Sequence, residues 1–257
     1  MNMNCEEIRE AIKAYCIKRA GEKVSVGELM KGKKRMLDLG CGDGKKLGSF
    51  VELPKSRKFG LDVYVPKNIE TLKFNFVQSK LPELPFKENA FDVVTCNHVV
   101  EHLNEREGKR LMHEAARVME KNGQLLVVTP NSMGLTKIVH GVLDWIGIYG
   151  LFEKLFLARE KLSRKEFEDK HSHGLRWKHE HEYSFGEIVE MARGKFAVER
   201  KGAFTLQWHS FTKLLWLMNL VLPWKCIEGF LDLVDNLFDF PLLWKFKAQF
   251  FVVMRKL

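Results

Sequence analysis

The sequence predicts an α/β protein built on a doubly wound, mostly parallel sheet of seven strands. Three observations carry that prediction. Short apolar runs alternate with amphipathic helical stretches between residues 35 and 130, the pattern of strands joined by crossover helices. Gln124 to Thr129 is built around an unbroken apolar run, as expected of a strand covered on both faces. Gly40, Gly42 and Gly44 alternate directly behind the first strand, where the chain has to turn sharply without Cβ atoms in the way.

The elements follow in order. Ile8, Ile12 and Tyr15 or Cys16 recur at helical spacing, so Cys5 to Ala20 reads as an amphipathic helix ending at Gly21. Strands are expected at Arg35–Leu39, Lys58–Asp62, Phe74–Val77, Phe91–Cys96 and Gln124–Thr129. Lys45 to Leu53 reads as a helix stopped by Pro54, and Leu81 to Phe86 as a proline-punctuated loop. Arg106 to Met119 carries Leu111, Met112, Ala115 and Val118 on one face, the mark of a helix packed on the sheet. Lys121-Asn122-Gly123 is the expected turn into the fifth strand. After Pro130 the alternation lapses. Gly134 to Asp169 looks helical, His171 to Tyr183 is a polar loop, and Phe185 to Arg193 is a helix. Phe196–Lys201 and Phe250–Arg255 complete the seven strands, with a strongly apolar stretch at Thr212–Phe238 between them.

At 257 residues the chain is read as a single domain. Its parts are an N-terminal helix in 1–32, a ligand-binding core in 33–131, a helical lid insertion in 132–183, and a C-terminal half in 184–257 with apolar helices and the last strand. Hydrophobic residues make up 46% and charged residues 29%, which suits a globular fold. The net charge is +9, but no dense Lys/Arg block exists, so nucleic acid is not the expected partner. Cys5, Cys16, Cys41, Cys96 and Cys226 form no C-x-x-C pair, which argues for reduced thiols in a cytoplasmic protein. Met1 to Ala20 is charged and lacks the apolar run of a signal peptide.

The glycine loop, Asp38-Leu39-Gly40-Cys41-Gly42-Asp43-Gly44, opens toward the expected helix, whose first N–H groups are free. Asp62 ends the second strand about 20 residues on, where an acidic side chain in dinucleotide folds accepts from ribose hydroxyls. The pair suggests an adenosine-containing ligand. A dinucleotide fingerprint would need glycine at 45, which is Lys45, and no Gly-Lys-Ser/Thr ending marks a P-loop.

In this setting the sequence resembles the class I S-adenosylmethionine-dependent methyltransferases, in the small-molecule branch related to ubiquinone biosynthesis. The loop from Asp38 to Gly44 looks like their first motif and Asp62 like their ribose-binding acid. Leu84-Pro85-Phe86, Phe91-Asp92-Val93-Val94, Val100-Glu101-His102-Leu103, Glu114-Ala115-Ala116-Arg117-Val118, Gly123 and Thr129-Pro130-Asn131 follow in the family's order. The resemblance covers roughly 34–131 and implies a Rossmann-like fold with S-adenosylmethionine as cofactor and S-adenosylhomocysteine as product. It implies that Gly40, Gly42 and Gly44 line the methionine part, with Cys41 the loop's variable position. Asp38 would sit near the amino group, Asp62 on the ribose, and Val63 against the adenine. The family often carries an acid after the third strand. Here Gln78-Ser79-Lys80 stands in its place, and Gln78 or Ser79 would accept the adenine amino group. Asn97 and His98 follow the fourth strand at the ligand edge.

Methyl transfer from a sulfonium needs alignment more than acid catalysis. A base is required only when the attacking atom must lose a proton. His98 is the candidate base. His102 reads as structural, and His140 falls in the lid. His171, His173, His179 and His181 lack acidic or cysteine partners at ligand spacing, so no metal is expected. Trp208, Trp216, Trp224 and Trp244 sit among Leu and Phe, but Lys213, Asn219, Lys225 and Glu228 break the run, so no membrane span is expected. Core or cap packing, a pocket for a hydrophobic acceptor, contact with a membrane surface, and a dimer interface all remain open for this region. The expected function is methyl transfer to a small-molecule or lipid-like acceptor. An RNA or protein methyltransferase and a non-catalytic S-adenosylmethionine binder are the alternatives. Cys96-Asn97-His98-Val99 lacks the Asn/Asp-Pro-Pro-aromatic motif of base methylation.

Overall fold

The computed structural model describes residues 3, 7, 8, 10–12, 15, 29, 31–33, 35–44, 53–67, 69–134, 180–204, 215, 218–237, 239, 247 and 249–257. The helix expected over 45–53, apart from Leu53, lies outside these residues. So do most of the lid, His140, His171, His173, His179, Trp208, Trp216 and Trp244. The chain divides into two compact units.

One unit comprises 24–130, 179–202 and 250–257 and is organised by the sheet. The strands are β1 (Met36–Leu39), β2 (Lys58–Asp62), β3 (Asn75–Gln78), β4 (Phe91–Asn97), β5 (Met119–Pro130), β6 (Phe196–Ala203) and β7 (Gln249–Lys256), in the spatial order β3-β2-β1-β4-β5-β7-β6. The first five are mutually parallel: Leu39 lies opposite both Leu61 and Cys96, Leu61 opposite Val77, and Thr95 opposite Leu126. Five carboxyl ends are thereby set side by side, with the order reversing on either side of β1. That is where open α/β sheets take ligands.

β7 runs against its neighbours. The Leu257 N–H donates to the Lys195 carbonyl just before β6, and the Phe204 N–H just after β6 donates to Gln249. The Lys256 ammonium reaches the Met119 carbonyl at the start of β5. The sheet is mostly parallel with an antiparallel edge. The turn expected at Lys121-Asn122-Gly123 falls inside β5. Met119 lies opposite Phe91 and Gln124 opposite Val93, so the extra residues bulge out, with Asn122 at φ +62°.

Helix α1 (Glu105–Val118) buries Leu111, Met112, Ala115, Ala116 and Val118, the face that the spacing predicts. It starts one residue before the expected Arg106 because Asn104 caps it. The Asn104 side chain accepts from Glu107 N at 3.0 Å and Glu107 accepts from Asn104 N at 3.2 Å, a capping box. Helix α2 (Phe185–Met191) has the same device in Ser184 and Glu187. Gly108 lets the second helix close in: a Cβ there would stand 2.9 Å from the Met191 sulfur. Arg117 donates to the Leu84 and Phe86 carbonyls, both at 2.8 Å, while Glu114 holds its guanidinium from the other side. That clamp seats Phe86 edge-on against Phe59 and Phe91, and it explains why the Leu-Pro-Phe and Glu-Ala-Ala-Arg motifs occur together.

The other unit comprises 1–23, 131–178 and 203–249. Ile8, Ile12 and Tyr15 pack with Leu215, Ile227 and Leu231, and Trp224 lies partly buried against them. Helix α3 (Trp224–Leu237) supplies two of these residues and the buried Asp235, which accepts from the Tyr15 hydroxyl at 2.8 Å. Lys247, fully buried, is neutralised by Asp239 at 2.8 Å. No helix among the described residues is long and apolar enough to cross a membrane.

Candidate active site at the carboxyl edge

The glycine loop leaves β1 and is tied at once to β2. Gly40 and Cys41 both donate their N–H groups to the Leu61 carbonyl, at 2.8 and 3.1 Å. Gly40, Gly42 and Gly44 have φ of +65°, +55° and +73°, the left-handed region that costs other residues ~1–2 kcal/mol. Their surroundings differ. A Cβ on Gly40 would lie 2.3 Å from Val99, and one on Gly44 would lie 2.3 Å from the Phe74 ring. Both glycines are packing requirements. A Cβ on Gly42 would meet nothing within 4 Å, so that position faces open space at the loop's crest.

Asp62 latches this loop. One carboxylate oxygen accepts from Gly42 N at 2.8 Å and the other from Tyr64 N at 3.0 Å. Each oxygen keeps acceptor capacity, since a carboxylate offers about four lone-pair positions. Beyond it Val63, Tyr64 and Val65 are exposed at 36%, 54% and 48%, an apolar shelf beside the acid. The Gln78 amide donates to the Val63 carbonyl at 3.0 Å, leaving its oxygen as the acceptor, while Ser79 spends its hydroxyl proton on the Glu83 carbonyl at 3.1 Å.

Asp38 is buried in β1 and accepts from the Thr95 hydroxyl at 2.6 Å, across the register that pairs the two residues. Thr95 was not among the sequence candidates. Its signal was a hydroxyl within the apolar run of a buried strand. Burial, followed by the negative charges of Asp38 and Asp62, pushes the Cys41 thiol up to about 12. It is therefore no nucleophile at neutral pH.

At the end of β4, Asn97 is half-buried and His98 takes φ +57°, strained for a residue with a Cβ. The kink points Val99 onto Gly40 and begins the 3-10 turn Val100–His102. Glu101 in that turn is 1% exposed. Its oxygens meet His98 Nδ1 at 3.2 Å and the Thr129 hydroxyl at 3.1 Å. Its backbone carbonyl accepts from the N–H groups of Glu180 and His181. Burial by itself would raise the Glu101 carboxyl, but the hydrogen bond and charge of His98 and the Thr129 hydroxyl hold it below the usual range. Glu101 and Thr129 were visible in the sequence only as motif letters, because their meeting depends on β5 lying beside β4.

All eleven candidate positions, from Asp38 to His98, thus lie at or just beyond the carboxyl ends of four adjacent strands. His181 does not join them as a ligand. Its ring stacks edge-on over Tyr183 and pairs with Glu187 at the start of α2. No group of three metal-ligating side chains exists among the described residues. A groove of about 790 Å³ along α1, lined by Arg106, Lys109, Arg110 and His113 among others, contains none of the candidate residues.

Residues 37–127 match the family described as a methyltransferase domain. The match runs from β1 into β5 and takes in the loop, Asp62, Asn97 and His98. An uncharacterized protein of Methanocaldococcus jannaschii is 31% identical over 141 residues, covering 53% of this chain and 54% of that protein. An uncharacterized methyltransferase of Bacillus subtilis is 27% identical over 104 residues, covering 37% and 40%. The matched region thus spans about half the length of these curated relatives or less. The fold is shared with a crystal structure of an S-adenosylmethionine-dependent methyltransferase from Archaeoglobus fulgidus, at TM-score 0.52 and 18% identity, covering 96% of this chain and 94% of that one. A protein of Pyrococcus horikoshii gives TM-score 0.52 at 13% identity, covering 94% and 91%. The sheet unit therefore has the fold of the class I methyltransferases, and its residues 37–127 are similar in sequence to a methyltransferase domain.

Proposed function

We propose that the chain is an S-adenosylmethionine-dependent methyltransferase acting on a small-molecule or lipid-like acceptor. The observation that carries the cofactor is the latched loop. Gly42 opens onto free space at a left-handed φ while Asp62 grips its N–H and keeps acceptor capacity for ribose hydroxyls. These residues fit the group. Gly40, Cys41, Gly42 and Gly44 would cradle the methionine part by backbone, Asp38 would face its amino group, and Val63 with Gln78 or Ser79 would hold the adenine. Asn97 and His98 would close the site on the acceptor side. When bound, the cofactor supplies an electrophilic methyl group on a sulfonium whose sulfur leaves neutral. The protein's own work is to align the acceptor and exclude water.

The acceptor class rests on what the chain carries. It has no dense basic block and no Asn-Pro-Pro-aromatic sequence at 97–100, which disfavours nucleic acid. Phe230, Leu233 and Leu237 of α3 are exposed, which suits an apolar acceptor or contact with a membrane surface in the cytoplasm. Calorimetric titration with S-adenosylmethionine and S-adenosylhomocysteine, with NAD as control, tests the cofactor. Binding of the first two only is the expected result, and binding of neither overturns the reading. An acceptor screen, lipids first, then tests the class.

A further inference from the structure

Three groups form a chain behind the loop: the Thr129 hydroxyl, the Glu101 carboxylate and the His98 ring, linked at 3.1 and 3.2 Å. A buried carboxylate is expensive unless its oxygens are satisfied, and here each oxygen has one of these partners. From this geometry we infer that Glu101 is a positioning residue that fixes His98 with its proton on Nδ1 and its lone pair on Nε2, making the site one for acceptors whose attacking atom bears a proton. The inference rests on the methyltransferase reading above and deepens it.

The chemistry runs as follows. Glu101 is ionised at neutral pH, because its partners outweigh the effect of burial. An ionised carboxylate only accepts, so the atom facing it, His98 Nδ1, must be the donor. The single N–H proton of the neutral ring is then at Nδ1, and Nε2 carries the basic lone pair. Glu101 lies inside while the His98 side chain is 36% exposed, and Nδ1 is the nitrogen turned to the buried carboxylate, so Nε2 is the one left for an acceptor. The ring stands one residue before Val99, which touches Gly40 of the loop. In the transfer, His98 Nε2 takes the proton of the attacking O–H or N–H. The acceptor's electron pair forms the bond to the methyl carbon, and the pair of the broken carbon–sulfur bond stays on sulfur. His98 passes its proton to water afterwards, and Glu101 remains a carboxylate throughout. A thioether or a tertiary amine has no proton to give up and would make this arrangement idle.

The test reads the tautomer and needs no acceptor. Long-range proton–nitrogen correlation spectra of the full chain, labelled in histidine and recorded where the ring is neutral, report it directly, with His98→Gln assigning the signal. The expected result is Nδ1–H outnumbering Nε2–H by roughly tenfold or more, the ratio appropriate to a charge-assisted hydrogen bond. Glu101→Met keeps the volume and removes both acceptor oxygens, so the ring should revert to the Nε2–H form that imidazole prefers in water. Nε2–H as the major form in the wild-type chain overturns the inference, whether or not the variant folds. A folded Glu101→Met that keeps the wild-type tautomer overturns it too. Wild-type protein that binds S-adenosylmethionine but shows Nε2–H defeats the relay alone, whereas failure to bind defeats the methyltransferase reading. Methylation of an atom with no proton to lose also removes His98 as base.

Discussion

Replacing Asp62 with alanine removes the acceptor of two backbone N–H groups, Gly42 at 2.8 Å and Tyr64 at 3.0 Å. A hydrogen bond to a charged group contributes about 1.5–3 kcal/mol when water is excluded. Asp62 is only half-buried, so roughly half that value applies to each bond, and the folded state should lose about 2 kcal/mol. Cofactor affinity falls for a separate reason. The ribose loses a charged acceptor, at least about 1.5 kcal/mol or roughly tenfold in Kd. The Gly42 crest, freed from its tether, must also be ordered by the ligand. Together these give an expected rise of about 10- to 100-fold in the Kd for S-adenosylhomocysteine. Calorimetric titration measures it, and urea denaturation of the same preparation measures the stability term. Asp62→Asn should recover little, because one of its two positions becomes an NH₂ facing a backbone N–H. A folded Asp62→Ala chain whose Kd stays within about twofold of wild type refutes the argument, since no ribose contact or tether would then have been lost.

Other expectations follow from the same geometry. Gly44→Ala combines left-handed strain with a contact 2.3 Å from Phe74. It should lower stability by about 2–4 kcal/mol in urea unfolding, partly recovered by Phe74→Leu. A Cβ on Gly42 would meet nothing within 4 Å, so the stability cost of Gly42→Val should be mainly backbone strain, at least about 1–2 kcal/mol, while calorimetry should find cofactor binding lost. Iodoacetamide followed by mass spectrometry should label the exposed Cys226 and spare the buried Cys41 and Cys96, whose thiols burial pushes up; equal labelling of Cys41 would mean that the loop is open. The Glu101 carboxyl is held below its ordinary range, so the folded state binds fewer protons there than the unfolded chain. Its stabilisation is complete above the ordinary glutamate range and disappears as the pH falls through the depressed value. Glu101→Gln should flatten that part of the acid-unfolding profile.

Local chemistry made much of this protein legible in the sequence. Lys58–Asp62 is the strand that its apolar pattern predicts, and β1, β3, β4, β6 and β7 agree to within one or two residues at either end; in β1, β4 and β7 burial on both faces leaves a run of apolar residues whatever the neighbours are. The glycine loop was equally plain, since a left-handed turn is a property of three alternating glycines and not of distant partners. What depended on distant partners was hidden. The role of Asp62 was expected toward a ribose. Its grip on Gly42, across twenty residues, appears only once β1 and β2 lie side by side. Lys121-Asn122-Gly123 has the composition of a turn, but pairing with β4 on both sides makes it a bulge within one strand. Glu101 and Thr129 are ordinary polar residues along the chain, and become a buried relay only because β5 pairs with β4. Propensity and pattern act over a few residues, so the sequence by itself determined the strands, the loop and the ligand edge. Hydrogen bonds between strands far apart in the chain, which exist only after the sheet has chosen its order, decided which side chains were latched, buried and oriented.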